Sequence, residues 1–240
     1  MGYNNPEFPY FLPEGEESIA LEKSTAEKDL GVWVDQKLNF SKHVEEQVGK
    51  ANRIFGMVRA SYTFLDGPTL RRLYTSLVRP HLEYANSVWN PPYIKDAQSI
   101  ENVQRRATRL VPELQKECLY GNHKRKPDYI ERLQILKLPS LYYRRARGDM
   151  IEVWKYLNGI YQVDQQMLVR DIGSSTRGHT LKLKKSHNRL LVRSHSFSQR
   201  VISTWNNLPK EVAEAKTMDT FKLLLDKAWE EYMFIQTPLF

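Results

Sequence analysis

The sequence predicts a mainly α fold of the α+β kind, with a small β component at its start and one basic β-hairpin near residues 177–193. Three observations predict it. Apolar residues recur at helical spacing in several long stretches after residue 40. The first 36 residues instead hold short aromatic and β-branched runs separated by Pro and Gly. The run "TLKLKK" alternates Leu181 and Leu183 with Lys182 and Lys184, the two-residue period of a half-buried strand.

Taken in order, "EFPYFL" and "SIALE" read as two strands joined by "PEGEE", whose Pro13 and Gly15 suit a turn. "LGVWV" reads as a third strand, flanked by Asp29 and Asp35. So small a sheet is marginal in water without something to pack against, so these strands are expected to belong to a larger sheet. Ser41 is expected to cap the next helix, whose stripe is Val44, Val48, Ala51, Ile54, Phe55 and Val58. "LDGPT" breaks it, and Pro68 suits the first turn of a new helix through Leu70, Leu73, Tyr74 and Leu77. Pro80 is expected to end or kink that helix, with Leu82, Ala85, Val88 and Trp89 continuing the stripe. Asp96 is expected to cap a third helix that buries Ile100, Val103, Ala107, Leu110 and Val111 and leaves Arg105, Arg106 and Arg109 outward.

"KECLYGNHKRKPD" reads as a polar, basic loop. A fourth helix spans about Leu141 to Asn158, burying Tyr142, Ala146, Met150, Val153, Trp154 and Leu157. Arg144 and Arg147 are expected to point away from that face, and Arg145 and Asp149, four apart, to pair on the exposed side. After the basic hairpin, "FSQRVISTWNNLP" returns to helical spacing. A last helix from about Met218 buries Phe221, Leu224, Leu225, Ala228, Trp229 and Tyr232.

Composition narrows the function. No apolar run approaches the roughly 20 residues that cross a bilayer, and the N-terminus has no basic region followed by an apolar one, so neither a membrane partner nor a secretory leader is expected. The single cysteine, Cys118, excludes an internal disulfide and any Cys-rich zinc site and fits a reducing compartment. The expected location is intracellular, nuclear or cytoplasmic. The chain carries 36 Lys and Arg against 28 Asp and Glu, a formal charge of +8. From Ile172 to Lys210 there is no acid, while Arg177, Lys182, Lys184, Lys185, Arg189, Arg193, Arg200 and Lys210 occur there. Such a run is either a solvated face or a polyanion surface.

No P-loop, dinucleotide fingerprint, zinc-protease helix or nucleophile elbow is present. His179, His187 and His195 recur every eight residues, and they read as surface histidines of a basic segment rather than metal ligands. Trp89, Trp154, Trp205 and Trp229 lie on apolar faces and read as core, with Trp33 the one exception. The residues expected to meet phosphates are Lys182, Lys184, Lys185, Arg189 and Arg193, followed by Arg105, Arg106, Arg109, Arg144 and Arg147. Nothing in the sequence points to base-specific readout.

Six segments then carry a resemblance: "EKDLGVWVDQKLNFSKHV", "LVRPHLEYANSVWNP", "IENVQRRATRLVPEL", "LPSLYYRRARGDMIEVWKYLNGIY", "TRGHTLKLKK" and "FSQRVISTWNNLP". In this order they resemble the C-terminal third of the reverse transcriptase of non-LTR (LINE) retrotransposons of the jockey and chicken-repeat type. The resemblance implies a palm and primer-grip remnant over residues 1–40, thumb-like helices over 41–92 and a helical C-terminal region over 93–240. It places Leu30, Gly31 and Val32 at the primer grip. It implies a partner, RNA or DNA held through its phosphate backbone, and the palm and fingers of the parent protein. The Phe/Tyr-x-Asp-Asp motif that holds catalytic magnesium in such polymerases does not occur, and no two aspartates are adjacent. No catalytic residue, metal ligand or cofactor is therefore expected in this chain. The stretch around Cys118 is longer than the family's usual link. Two other readings stand beside this one, a domesticated non-enzymatic module that binds nucleic acid or protein and a non-functional translated relic.

Overall fold

The computed structural model describes residues 8–14, 17–120, 123–161, 167–172 and 178–235. Among them the chain is mainly helical, with three two-stranded antiparallel pairs.

The first pair, β1 (Phe11–Glu14) and β2 (Glu17–Ala20), sets Phe11 opposite Ala20. The second, β3 (Ala26–Asp29) and β4 (Val32–Asp35), sets Asp29 opposite Val32. Leu30 and Gly31 are thus not part of a strand. They form the two-residue turn between β3 and β4, with φ of 44° and 88°. A two-residue hairpin turn with both angles positive matches the right-handed twist of its strands, and glycine supplies one of those angles without a steric penalty. The Asp35 carboxylate accepts hydrogen bonds from the backbone of Lys37 (2.9 Å), Asn39 (3.4 Å) and Phe40 (2.8 Å). It closes the loop into the first helix.

Helix α1 (Ser41–Ser61) buries Val44, Val48, Ala51 and Val58, as its spacing predicts, with Ile54 and Phe55 partly buried against the same core. Ser41 does not cap it. Phe40 holds that position in a left-handed conformation, while the Ser41 hydroxyl donates to Asp96 at 2.6 Å. Asp96 in turn lies within the first turn of α5 (Ile94–Ala107), whose capping position belongs to Tyr93.

Helix α2 (Gly67–Leu73) is capped by Asp66, which accepts from the Thr69 N–H at 3.0 Å. Pro80 neither ends nor breaks the path. A π-helical turn, Tyr74–Val78, joins α2 to α3 (Arg79–Glu83), with the Arg79 N–H bonding to the Tyr74 carbonyl five residues back. The wider turn makes room for a proline ring that would clash in a regular helix. It also shifts the register, so Val78 and Leu82 are buried and Leu77 is exposed. Ala85, at positive φ, then turns the chain into the short α4 (Asn86–Trp89).

Beyond α5, two 3₁₀ turns lead to a third strand pair, β5 (Cys118–Tyr120) and β6 (His123–Arg125). Helix α6 (Tyr129–Leu136) follows, its start fixed by a capping box between Asp128 and Glu131. The segment that reads as a loop in sequence thus holds a hairpin and leads into a helix. Helix α7 (Leu141–Leu157) matches its expected span, and Ser140 caps it by accepting from the Tyr143 N–H.

The expected basic hairpin at 177–193 is not there among the described residues; Arg177 lies outside them. Leu183 instead bridges Arg170, an upstream partner, through Asp171 N–H to Lys182 O (2.8 Å) and Lys184 N–H to Val169 O (2.9 Å). Leu183 is buried and Lys184 exposed, whereas Leu181 and Lys182 are both half-buried. What differs is the partner, which lies before this stretch and not after it. Residues 191–195 form α8 (Leu191–His195), and α9 (Phe197–Asn206), α10 (Lys210–Ala213) and α11 (Met218–Ala228) complete the chain.

Two apolar cores result. The first runs from Val32 to Leu141 and the second from Tyr143 to Trp229. The expected division at 92/93 lies inside the first core, where α1 packs along α5. The cores meet at α7, which gives Leu141 to one and Met150, Val153 and Trp154 to the other. Trp89, Trp154, Trp205 and Trp229 are all buried, as expected. Trp33 is half-buried, with the Lys42 ammonium 3.7 Å from its ring centroid.

Candidate nucleic-acid interface

The ten basic residues expected to meet phosphates separate by what else they touch. Arg144 and Arg147 do not point to solvent as free charges. Arg144 forms a two-pronged pair with Glu83 (Nη2 to Oε2 2.8 Å), and Arg147 does the same with Asp226 (Nη2 to Oδ2 2.8 Å). Both acids lie far away in sequence, so spacing along one helix could not reveal them. Tyr143 also donates to Asp226, at 2.8 Å. Those hydrogen bonds hold the Asp226 carboxyl below its ordinary range against the opposing effect of its burial.

Arg145 and Asp149 do not form the expected surface pair. Each is buried, because α7 is covered on both sides. Asp149 is bound by Arg200 (Nη2 to Oδ1 2.9 Å, Nε to Oδ2 3.0 Å), and burial still raises its carboxyl above the ordinary range. Arg200 belongs to the acid-free run, yet it works inside the fold, also donating to the Ser87 carbonyl at 2.9 Å.

On α5 and the turn after it, Arg105, Arg106 and Arg109 border one shallow depression with Ser99 and Asn102. Arg106 and Arg109 are exposed, and Arg106 donates to Asn52 on α1 at 2.8 Å. Arg105 is half-buried, its guanidinium 4.8 Å from the Tyr129 ring centroid. Spacing alone places it outward; the ring of Tyr129 on α6 draws it in.

Beneath them lies a buried polar node that the apolar stripe does not disclose. Glu101 is 2% exposed and accepts from the Tyr129 hydroxyl (2.6 Å) and the Leu141 N–H (2.9 Å). Burial pushes its carboxyl up and the Tyr129 hydroxyl far up. Gln104 donates to the Pro139 carbonyl at 3.0 Å. These bonds tie α5 to the starts of α6 and α7, so they fix the arginine row in place.

In the acid-free run, Lys184, Arg189 and Arg193 are exposed and make no ion pair among the described residues. Lys185 is exposed and donates to the Ser203 hydroxyl at 2.7 Å. Lys182 is half-buried and engaged within the fold. The histidines do not share one setting. His179 is buried, not on the surface, with Nε2 3.0 Å from the Trp205 carbonyl, and burial lowers its pKa. His187 is exposed, and His195 Nδ1 lies 3.0 Å from the Leu191 carbonyl.

At the other end, the Leu30–Gly31 turn projects. Leu30 is 86% exposed despite its positive φ. The Tyr84 hydroxyl donates to the Leu30 carbonyl at 2.9 Å, and the Tyr84 ring covers the face of Gly31, where an added Cβ would lie 3.3 Å from it. Val32 is buried in the first core. The three residues expected at a grip are therefore one exposed tip, one turn glycine and one anchor.

No helix among the described residues is long and apolar enough to cross a membrane. No protein-family model matches this chain, no curated protein matches it, and no solved structure matches it.

Proposed function

We propose that this chain is a nucleic-acid-binding part of an RNA-directed DNA polymerase of the non-LTR retrotransposon type, holding template and primer without catalysing synthesis. The observation that carries the binding half is the set of exposed cations without an acidic partner among the described residues, Lys184, Arg189 and Arg193, together with the arginine row on α5. Arginine and lysine suit phosphate binding that follows the shape of a duplex. The six ordered segments that resemble such polymerases supply the polymerase half. The Leu30–Gly31 turn then contributes the grip on the primer end, and the exposed apolar hairpin β1–β2 packs on the polymerase palm.

Salt titration tests the binding half. The triple variant Lys184→Ser, Arg189→Ser, Arg193→Ser and the double variant Arg106→Ser, Arg109→Ser are compared with the parent on one RNA–DNA duplex. Each phosphate that is no longer neutralised should flatten the slope of log affinity against log salt by about 0.7–0.9. The weakening should be similar for unrelated sequences. Parent slopes in both variants would sink the interface. The purified chain should also incorporate no nucleotides, since it has no adjacent aspartates. Template-dependent synthesis abolished by EDTA would show that unassigned carboxylates do the work.

A further inference from the structure

Two adjoining cavities lie where the two cores meet, and neither is used by the proposed duplex interface. One, of about 440 Å³, is apolar and walled by the rings of Phe40, Tyr93, Tyr156 and Phe197, with the amides of Asn39 and Asn90 among them. The other, of about 490 Å³, is more polar than the first and includes Arg145, Lys185 and Arg200 in its wall. Asn90, Pro92, Tyr93 and His195 belong to both. Each volume lies within the range of small-molecule sites, which favour such junctions.

Three cations, Arg145, Lys185 and Arg200, line the polar chamber, and the buried carboxylates of Glu101 and Asp149 act on Arg145. Asp149 is the one carboxylate among the described residues of its wall, and Arg200 already occupies both oxygens. Arg145 is 4% exposed, and its Nη1 has no hydrogen-bond partner among the described residues. The Lys185 ammonium gives one hydrogen bond to Ser203 and has others to give. A buried guanidinium nitrogen without an acceptor is costly, and an anion relieves that cost.

We propose that the joined chambers bind one nucleoside phosphate unit, with the phosphate against Arg145 and Lys185 and the base among the aromatic rings. Every nucleobase offers a flat face to stack on such rings. Its polar edge meets the amides of Asn39, whose oxygen already accepts from the Ser41 N–H, and Asn90. The unit is either a free nucleotide or an unpaired nucleotide of a strand. The site rests on the cleft, not on the arginine row or on Lys184, Arg189 and Arg193.

The test uses the full chain and adenosine 5′-monophosphate in equilibrium dialysis, with adenosine, inorganic phosphate and octanoate as comparison probes. One equivalent of the nucleotide should bind at least about tenfold tighter than either of its halves. Ser87→Phe, which fills the apolar chamber, and Lys185→Gln, on the polar side, should each weaken it about tenfold. Both positions are at least partly exposed, and circular dichroism checks that the variants fold. Displacement by a 5′-phosphorylated single strand identifies a strand nucleotide as the occupant, and its failure identifies the free nucleotide. Arg106→Ser, Arg109→Ser should leave this binding unchanged even if it abolishes duplex binding, so the two readings fail separately. Nucleotide binding no tighter than phosphate, tighter binding of octanoate, or indifference to Ser87→Phe would overturn the proposal.

Discussion

His43 shows how one side chain sets a pH limit. It lies at 0% exposure beside Trp89, with ring centroids 4.9 Å apart. Its Nδ1 accepts the Trp33 N–H at 3.2 Å, so the ring proton sits on Nε2, which has no partner among the described residues. Burial, aided by Lys50 and Lys28, lowers its pKa from 6.5 to about 4. Between those values the unfolded chain holds a proton that the folded chain refuses, so stability falls as pH falls through that window. Above the upper value this contribution is constant. The full effect is of order 3 kcal/mol. His43→Asn keeps an acceptor near the Trp33 N–H and removes the titration. Urea unfolding should then show a shallower loss of stability between pH 6.5 and 4 than the parent. Equal slopes would mean that other groups set the limit. The apolar spacing of α1 is legible in sequence, while the burial of His43 and Gln47 on the same helix is not. The burial of His43 depends on β4 and α4, which pack from elsewhere in the chain. The same holds for Glu101 and Gln104 on α5.

At the scale of elements, what can be read follows local rules. The spans of α7, α9 and α11 follow from apolar period and stops, and Asp66 marks the start of α2. Helix α6 carries a local signal too, the Asp128-x-x-Glu131 capping box, but the lysines around it give the stretch the composition of a loop. The partner of Leu183 is not legible, because pairing with Arg170 is a tertiary choice. Likewise no local rule can assign Arg144 to Glu83 or Arg147 to Asp226. The two N-terminal hairpins also differ in a way composition does not show. Val32 anchors β3–β4 in the first core, whereas Phe11, Leu12 and Ile19 of β1–β2 are exposed. An isolated two-stranded hairpin is barely stable in water. Hydrogen exchange should therefore find the amides of residues 11, 12, 19 and 20 among the fastest and that of Val34 markedly slower. Equal protection in both hairpins would show that something covers β1–β2 in solution.

The whole molecule turns on whether its two cores unfold as one. Helix α7 belongs to both, and Arg200 of the second core reaches Asp149 on α7 and the Ser87 carbonyl in the first half. Arg144 on α7 is bound to Glu83 at the end of α3. Because a helix cannot stay ordered on one side only, loss of either core strips α7 of half its packing. A single cooperative transition is expected, reported equally by fluorinated tryptophan at Trp89 in the first core and Trp205 in the second. Arg200→Met leaves Asp149 buried without its cation, a change that typically costs about 3–5 kcal/mol. The two probes should shift together to lower urea. Adding Asp149→Leu removes the stranded charge and should restore a large part of the stability, since an apolar pair can replace a buried ion pair at little cost. If Trp205 reports unfolding at lower urea than Trp89 in the Arg200→Met variant, the seam does not couple the cores. The chain would then be two domains joined by a continuous helix.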